Sequence, residues 1–150
     1  MIKRLNLKEV ETAKEVLALQ KASYRVEADI LNYYEMPPLK DSIHSLKACD
    51  EIFYGYYIYD ILAGIISYKI IGNILDIYRV AVHPHFFRMG IGGILLNYIE
   101  NVEENITRII VHTGKKNLPG INLYLKNGYQ IIKDIELCKG IYLTVLEKLL

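Results

Sequence analysis

Apolar positions recur with two different periods along this chain, and the two periods divide it into strands and helices. Ile91, Ile94, Leu95, Tyr98, Ile99 and Val102 fall at i, i+3, i+4, i+7, i+8 and i+11, a single stripe on a helix whose other side carries Asn97, Glu100, Asn101, Glu103 and Glu104. Just before it, Ile74 to Val82 is nearly continuous in apolar and aromatic residues, the pattern of a strand covered on both faces. His83-Pro84 ends that strand, because proline cannot donate to a ladder.

The same reading orders the rest of the chain. Ile2 to Leu5 is an edge strand. Asn6 with Glu9 resembles a capping box opening a helix to about Ser23, with Val10, Ala13 and Leu17 inside. A less regular segment, Tyr24 to Asp41, follows, and Pro37-Pro38 ends any helix there. A short helix spans Asp41 to Asp50. Strands are predicted at about Ile52 to Tyr59, Ala63 to Ile71, Ile74 to Val82, Thr107 to His112, Tyr129 to Leu137 and Ile141 to Glu147. Gly72-Asn73 and Lys139-Gly140 form the hairpin turns. Pro119 suits the first turn of a helix over Asn117 to Asn127, and Gly128 its left-handed end. The order βααβββαβαββ predicts one α/β domain over residues 1–150: a mixed, mostly antiparallel sheet of about seven strands with helices on both faces.

Composition narrows the function more than the fold. The 150 residues carry a formal net charge of +1, which offers no footprint for nucleic acid. No apolar run reaches the ~18 residues of a membrane span. Met1-Ile2-Lys3-Arg4 is basic, but no apolar stretch of a signal peptide follows, so a cytoplasmic location is expected. Cys49 and Cys138 lie far apart, and with His44, His83, His85 and His112 they show no metal-type spacing, so no metal is expected. His83, before Pro84, reads as a local hydrogen-bonding turn residue.

The chemistry concentrates at the turn Arg88-Met89-Gly90-Ile91-Gly92-Gly93. Free N–H groups at a helix start, backed by the positive end of the helix dipole, bind anions. Gly90, Gly92 and Gly93 have no Cβ to obstruct a ligand. The turn is neither the dinucleotide fingerprint, which needs G-x-G-x-x-G after an early strand, nor a P-loop, since no Gly-Lys-Ser/Thr follows.

Val82-His83-Pro84 followed by Phe86-Phe87-Arg88-Met89-Gly90-Ile91-Gly92 resembles the cofactor motif of the GNAT superfamily of acyl-CoA-dependent N-acyltransferases, Arg/Gln-x-x-Gly-x-Gly/Ala. Gly90 and Gly92 match its small positions. Phe87 stands at its first position, with the basic residue displaced to Arg88. Asn117 to Tyr129 resembles the family's later motif: an Asn, a short helix with Tyr124, then Gly128-Tyr129 opening a strand. The element order matches over essentially the whole chain.

The resemblance implies an N-acetyltransferase that moves an acetyl group from acetyl-CoA, its co-substrate, to a primary amine by direct attack on the thioester. It implies cofactor contacts at Val80, Ala81, Val82, Arg88, Met89, Gly90, Ile91, Gly92, Gly93, Asn117 and Tyr124, with Tyr124 as the acid that protonates the leaving thiolate. A main-chain N–H near Val80 to Val82 would stabilise the oxyanion. The acceptor, a small-molecule or peptide amine, would bind between the Tyr24–Asp41 segment and the Lys139-Gly140 hairpin. Tyr24, Glu27, Tyr33 and Asp76 are its candidate contacts. Glu27, Glu35 and Asp76 are candidates for taking the amine's proton. A homodimer is a family-level expectation. The competing reading is a non-catalytic acyl-CoA sensor or interaction domain of the same fold, and a third is a generic nucleotide-binding α/β domain.

Overall fold

The computed structural model describes residues 1–150. Seven strands, β1 (Ile2–Leu5), β2 (Ile52–Ile58), β3 (Ile61–Ile71), β4 (Ile74–Val82), β5 (Arg108–Gly114), β6 (Gln130–Cys138) and β7 (Ile141–Leu149), form one sheet in the order β1-β2-β3-β4-β5-β7-β6. Every neighbouring pair is antiparallel except β4 and β5. The helices are α1 (Val10–Leu31), α2 (Pro37–Lys40), α3 (Ile43–Ala48), α4 (Ile91–Val102) and α5 (Leu118–Lys126).

Both faces of the sheet are covered, by different helices. Leu95 and Ile99 of α4 and Tyr124 of α5 pack with Ile66, Tyr68, Leu75 and Ile109. On the opposite face Val16 and Leu19 of α1 and Leu46 of α3 pack with Phe53, Ile65 and Ala81. Burial of these apolar side chains supplies the main driving force for the fold, at roughly 1.5–3 kcal/mol for each fully buried large residue.

One irregularity positions the site. In the β3–β4 ladder Ser67 pairs with Arg79 and Tyr68 with Ile77, so Tyr78 is an extra, bulged residue. A one-residue bulge reverses which face the following side chains take. Leu75 and Ile77 therefore join the α4 side of the core, while beyond the bulge Val80 and Val82 take that side and Ala81 turns towards α1. Tyr78 itself is 48% exposed. This corrects the expectation of a strand covered on both faces throughout: the apolar run hid a change of register.

The parallel pairing of β4 with β5 runs only from Ile74–Arg108 to Ile77–Val111. The ladder of β4 with β3 continues to Val82, and that of β5 with β7 to Gly114. From the bulge onward the two strands part, and the facing edges of Tyr78–Val82 and His112–Gly114 have no strand partner.

The first helix also differs from its prediction. It starts at Val10, after the extended Glu9, and the Asn6 side chain accepts from Lys8 N at 3.1 Å instead of forming a capping box with Glu9. It continues to Leu31 and stops at Asn32, in the left-handed region with φ 51°. Its buried line runs Ala13, Val16, Gln20, Tyr24, Ala28, Leu31, spaced by three or four. Polar Gln20 interrupts that line just before Ser23, which is why the apolar pattern breaks there although the helix does not. Pro37-Pro38 opens the short α2 at its first positions.

Candidate active site

The glycine turn is shaped by its backbone. Arg88 and Gly90 both have positive φ, 64° and 77°. Gly90 is the residue just before α4, in open space, and its left-handed conformation favours a residue without a Cβ. The first helical bond runs from Ile94 N–H to the Gly90 carbonyl at 3.0 Å. The N–H groups of Ile91, Gly92 and Gly93 lie ahead of it with no acceptor within the helix. Gly92 has a packing role: a Cβ there would lie 2.9 Å from Cδ2 of Leu123, so its absence lets α4 and α5 approach. Phe87 and Met89 are exposed.

Where β4 and β5 part, a cavity of about 510 Å³ opens on the α1 side. It is lined by α1, by the segment leading to α3, by both parted strands and by the β6–β7 hairpin. Tyr24, Glu27, Tyr33 and Tyr124, singled out in the sequence, all line it, as do Val80 and His112. Asp76 does not; it precedes the bulge, beside His112 and Lys69. Glu35 is an exposed surface acid paired with Lys40. His83 Nδ1 accepts from His85 N at 3.1 Å, the local turn bond expected of it.

Of the three acids named as candidate bases, Glu27 is the one that lines the gap. Asn117, buried at the start of α5, donates through Nδ2 to Glu27 Oε1 at 2.9 Å and to Thr113 Oγ1 at 3.2 Å. Its Oδ1 accepts from Gly120 N at 3.3 Å, so the side chain ties β5, α5 and α1 together. Withdrawal from water pushes the Glu27 carboxyl from 4.5 up to about 7. Tyr124 is 6% exposed; burial, and then the charge of Glu27, raise its phenol well above the ordinary value, so it is protonated at neutral pH. Its hydroxyl makes no hydrogen bond within the protein. Tyr24 lies against the Val80 main chain, and burial followed by Glu27 raises its phenol too.

A second group of charges on the same wall escaped the sequence reading. Arg79, just past the bulge, turns to the α1 face. Its Nε and Nη2 donate to the two oxygens of Glu51 at 2.9 and 3.2 Å, and its Nη1 to Asp41 Oδ2 and Gln20 Oε1, both at 2.6 Å. Ser67 and Ser45 donate to Glu51 and Asp41 at 2.6 and 2.7 Å. The three charged side chains are only 7–13% exposed. The available signal was Arg79 itself: a charge in a largely apolar strand needs buried partners. No group of three or more His, Cys, Asp or Glu side chains is placed to hold a metal ion, and no helix is long and apolar enough to cross a membrane.

The chain is 35% identical over 97% of its length to the UPF0157 protein YqkA of Bacillus subtilis (strain 168), and it spans 42% of that relative. It is 26% identical to the spermidine N(1)-acetyltransferase of Thermoplasma acidophilum, over 87% of this chain and 88% of that one. The PaiA N-acetyltransferase of Thermoplasma acidophilum, solved in complex with coenzyme A, superposes with a TM-score of 0.77 over 100% of this chain and 99% of that chain at 22% identity, a likeness of fold. The pattern that defines the acetyltransferase (GNAT) family matches residues 13–129, and the chain belongs to that family.

Proposed function

We propose that the chain transfers an acetyl group from acetyl-CoA to a primary amine, with Glu27 as general base and Tyr124 as general acid. The observation that carries this is the placing of both side chains on one cavity at the opening between β4 and β5. When bound, acetyl-CoA supplies an activated thioester. The N–H groups that open α4 suit its pyrophosphate, and the unpaired edge of β4 suits the amide groups of its pantetheine arm, which can add to the edge as a strand would. Arg88, on the exposed turn, adds a positive charge nearby.

Each proton then has a holder. An amine enters as its ammonium and must lose a proton before its nitrogen can attack the thioester carbon. With its carboxyl at about 7, Glu27 is half ionised near neutrality and takes that proton. A main-chain N–H of Val80–Val82 faces the developing oxyanion. As the C–N bond forms and the C–S bond breaks, Tyr124 gives its proton to the departing sulfur, and the second proton shed by the nitrogen as it becomes an amide restores the phenol. Asn117 holds Glu27 in position. Alignment of the two substrates supplies much of the acceleration.

Thiol release from acetyl-CoA with a panel of primary amines tests the reading. Turnover dependent on the amine supports it. Tight CoA binding without turnover of any amine favours the sensor reading instead.

A further inference from the structure

The cavity carries two anionic stations at a set spacing. Glu27 is one, and the Asp41–Glu51 pair around Arg79 is the other. Gln20, which bonds both Asp41 and Arg79, and Glu27 lie seven residues apart on α1. Two helical turns at ~1.5 Å per residue place the stations roughly 10 Å apart, with Tyr24 between them.

The second station suits a cation. Arg79 already donates to Glu51, Asp41 and Gln20 through Nε and both Nη atoms, so it offers little to an incoming carboxylate. Two carboxylates against one guanidinium leave a net negative charge, and no lysine is among the lining residues. The rest of the lining is largely apolar and aromatic, including Leu31, Tyr33, Met36 and Leu137. The Tyr124 hydroxyl, on a side chain 94% buried, faces the same space without a partner from the protein, which marks the cavity as built to receive a polar ligand.

We propose that the acceptor is a long aliphatic diamine or polyamine, its reacting nitrogen between Glu27 and Tyr124 and its second ammonium at Asp41 and Glu51. This rests on the transferase reading above. An extended chain advances ~1.2 Å per bond, so the spacing corresponds to roughly seven methylenes between the two nitrogens.

The test compares 1,7-diaminoheptane with 7-amino-1-heptanol, which keeps the length and the reacting amine and removes one charge. The expected kcat/KM is about tenfold higher for the diamine, with 1,3-diaminopropane losing that advantage. In Asp41→Asn or Glu51→Gln the diamine-to-aminoalcohol ratio should fall towards one. Calorimetric binding of 1,7-diaminoheptane to the wild-type chain and to Asp41→Asn separates the two ideas. If no amine is acetylated but the diamine binds and Asp41→Asn weakens it, the transferase reading falls and the station stands. Equal kcat/KM for diamine and aminoalcohol in an active enzyme, or no diamine binding in an inactive one, overturns the station.

Discussion

The turn at Arg88–Gly93 and the cavity at Glu27 lie at the two sides of one strand end, yet they are built by opposite means. The turn is contiguous in sequence, and its chemistry is main-chain N–H. Its demands fall on backbone conformation, most clearly at Gly90 with φ 77°. The cavity gathers side chains from α1, β4, β5, α5 and the β6–β7 hairpin, and its chemistry lies in buried ionisable groups. A site made of backbone tolerates change in its side chains, whereas a site made of buried acids and phenols loses its chemistry with one atom. On that contrast, Phe87 at the first position of the family motif leaves the turn's main-chain N–H groups in place. The contrast also sets the order of the effects expected from substitution.

The largest effects should come from the cavity. Tyr124→Phe keeps the ring in the core and removes only a hydroxyl that bonds nothing in the protein. Steady-state kcat should fall by about 10²–10⁴, with CoA affinity and melting temperature nearly unchanged. Full activity would refute the acid role, and a large drop in melting temperature would mark Tyr124 as a packing residue.

Glu27→Gln should lower the rate by about 10²-fold and also stabilise the chain. The sign follows from the direction of the shift. The folded protein raises this carboxyl from 4.5 to about 7, so folding favours the protonated form. Stability tied to that proton is complete below pH 4.5 and is lost as pH rises through 7. The glutamine variant should therefore outlast the wild type in thermal melts at pH 8, by at most about 3 kcal/mol, and match it at pH 4. A variant less stable at pH 8 would show that the buried charge is well compensated.

The turn should respond through its backbone. Gly90→Val forces a branched side chain into positive φ, at a cost of about 1–3 kcal/mol, and should weaken CoA binding measured by calorimetry. Unchanged CoA affinity in a folded Gly90→Val protein would move the pyrophosphate site elsewhere. Arg88→Ala should cost least, about tenfold in CoA affinity, the worth of one charge-assisted hydrogen bond. Complete loss of binding there would erase the contrast, because a side chain would then carry the turn.

The contrast also explains what could be read from the chain alone. The strands, α4, α5 and the hairpin turns announce themselves by local period and turn residues, and Asn117, Tyr124 and Gly90 lie within short runs. Glu27 could not be separated from Glu35 and Asp76, because all three are acids near the expected pocket. Only the continuation of α1 past Ser23 turns Glu27 inward, beside Asn117, which is 90 residues further along. Glu35 falls past the helix end at Asn32, and Asp76 precedes the bulge. Arg79, Asp41 and Glu51 escaped notice because their partnership depends on the Tyr78 bulge, a one-residue register change with no local signature in an apolar strand.

The assignment of the base is tested most directly by the pH dependence of kcat/KM for acetyl transfer to 1,7-diaminoheptane, measured side by side for wild type and Glu27→Gln. The wild-type profile should climb through about pH 7, as the Glu27 carboxyl loses its proton and becomes able to take one from the ammonium. The glutamine variant should be slower throughout, with that inflection gone. A variant that keeps both the wild-type rate and the inflection near pH 7 would contradict the account.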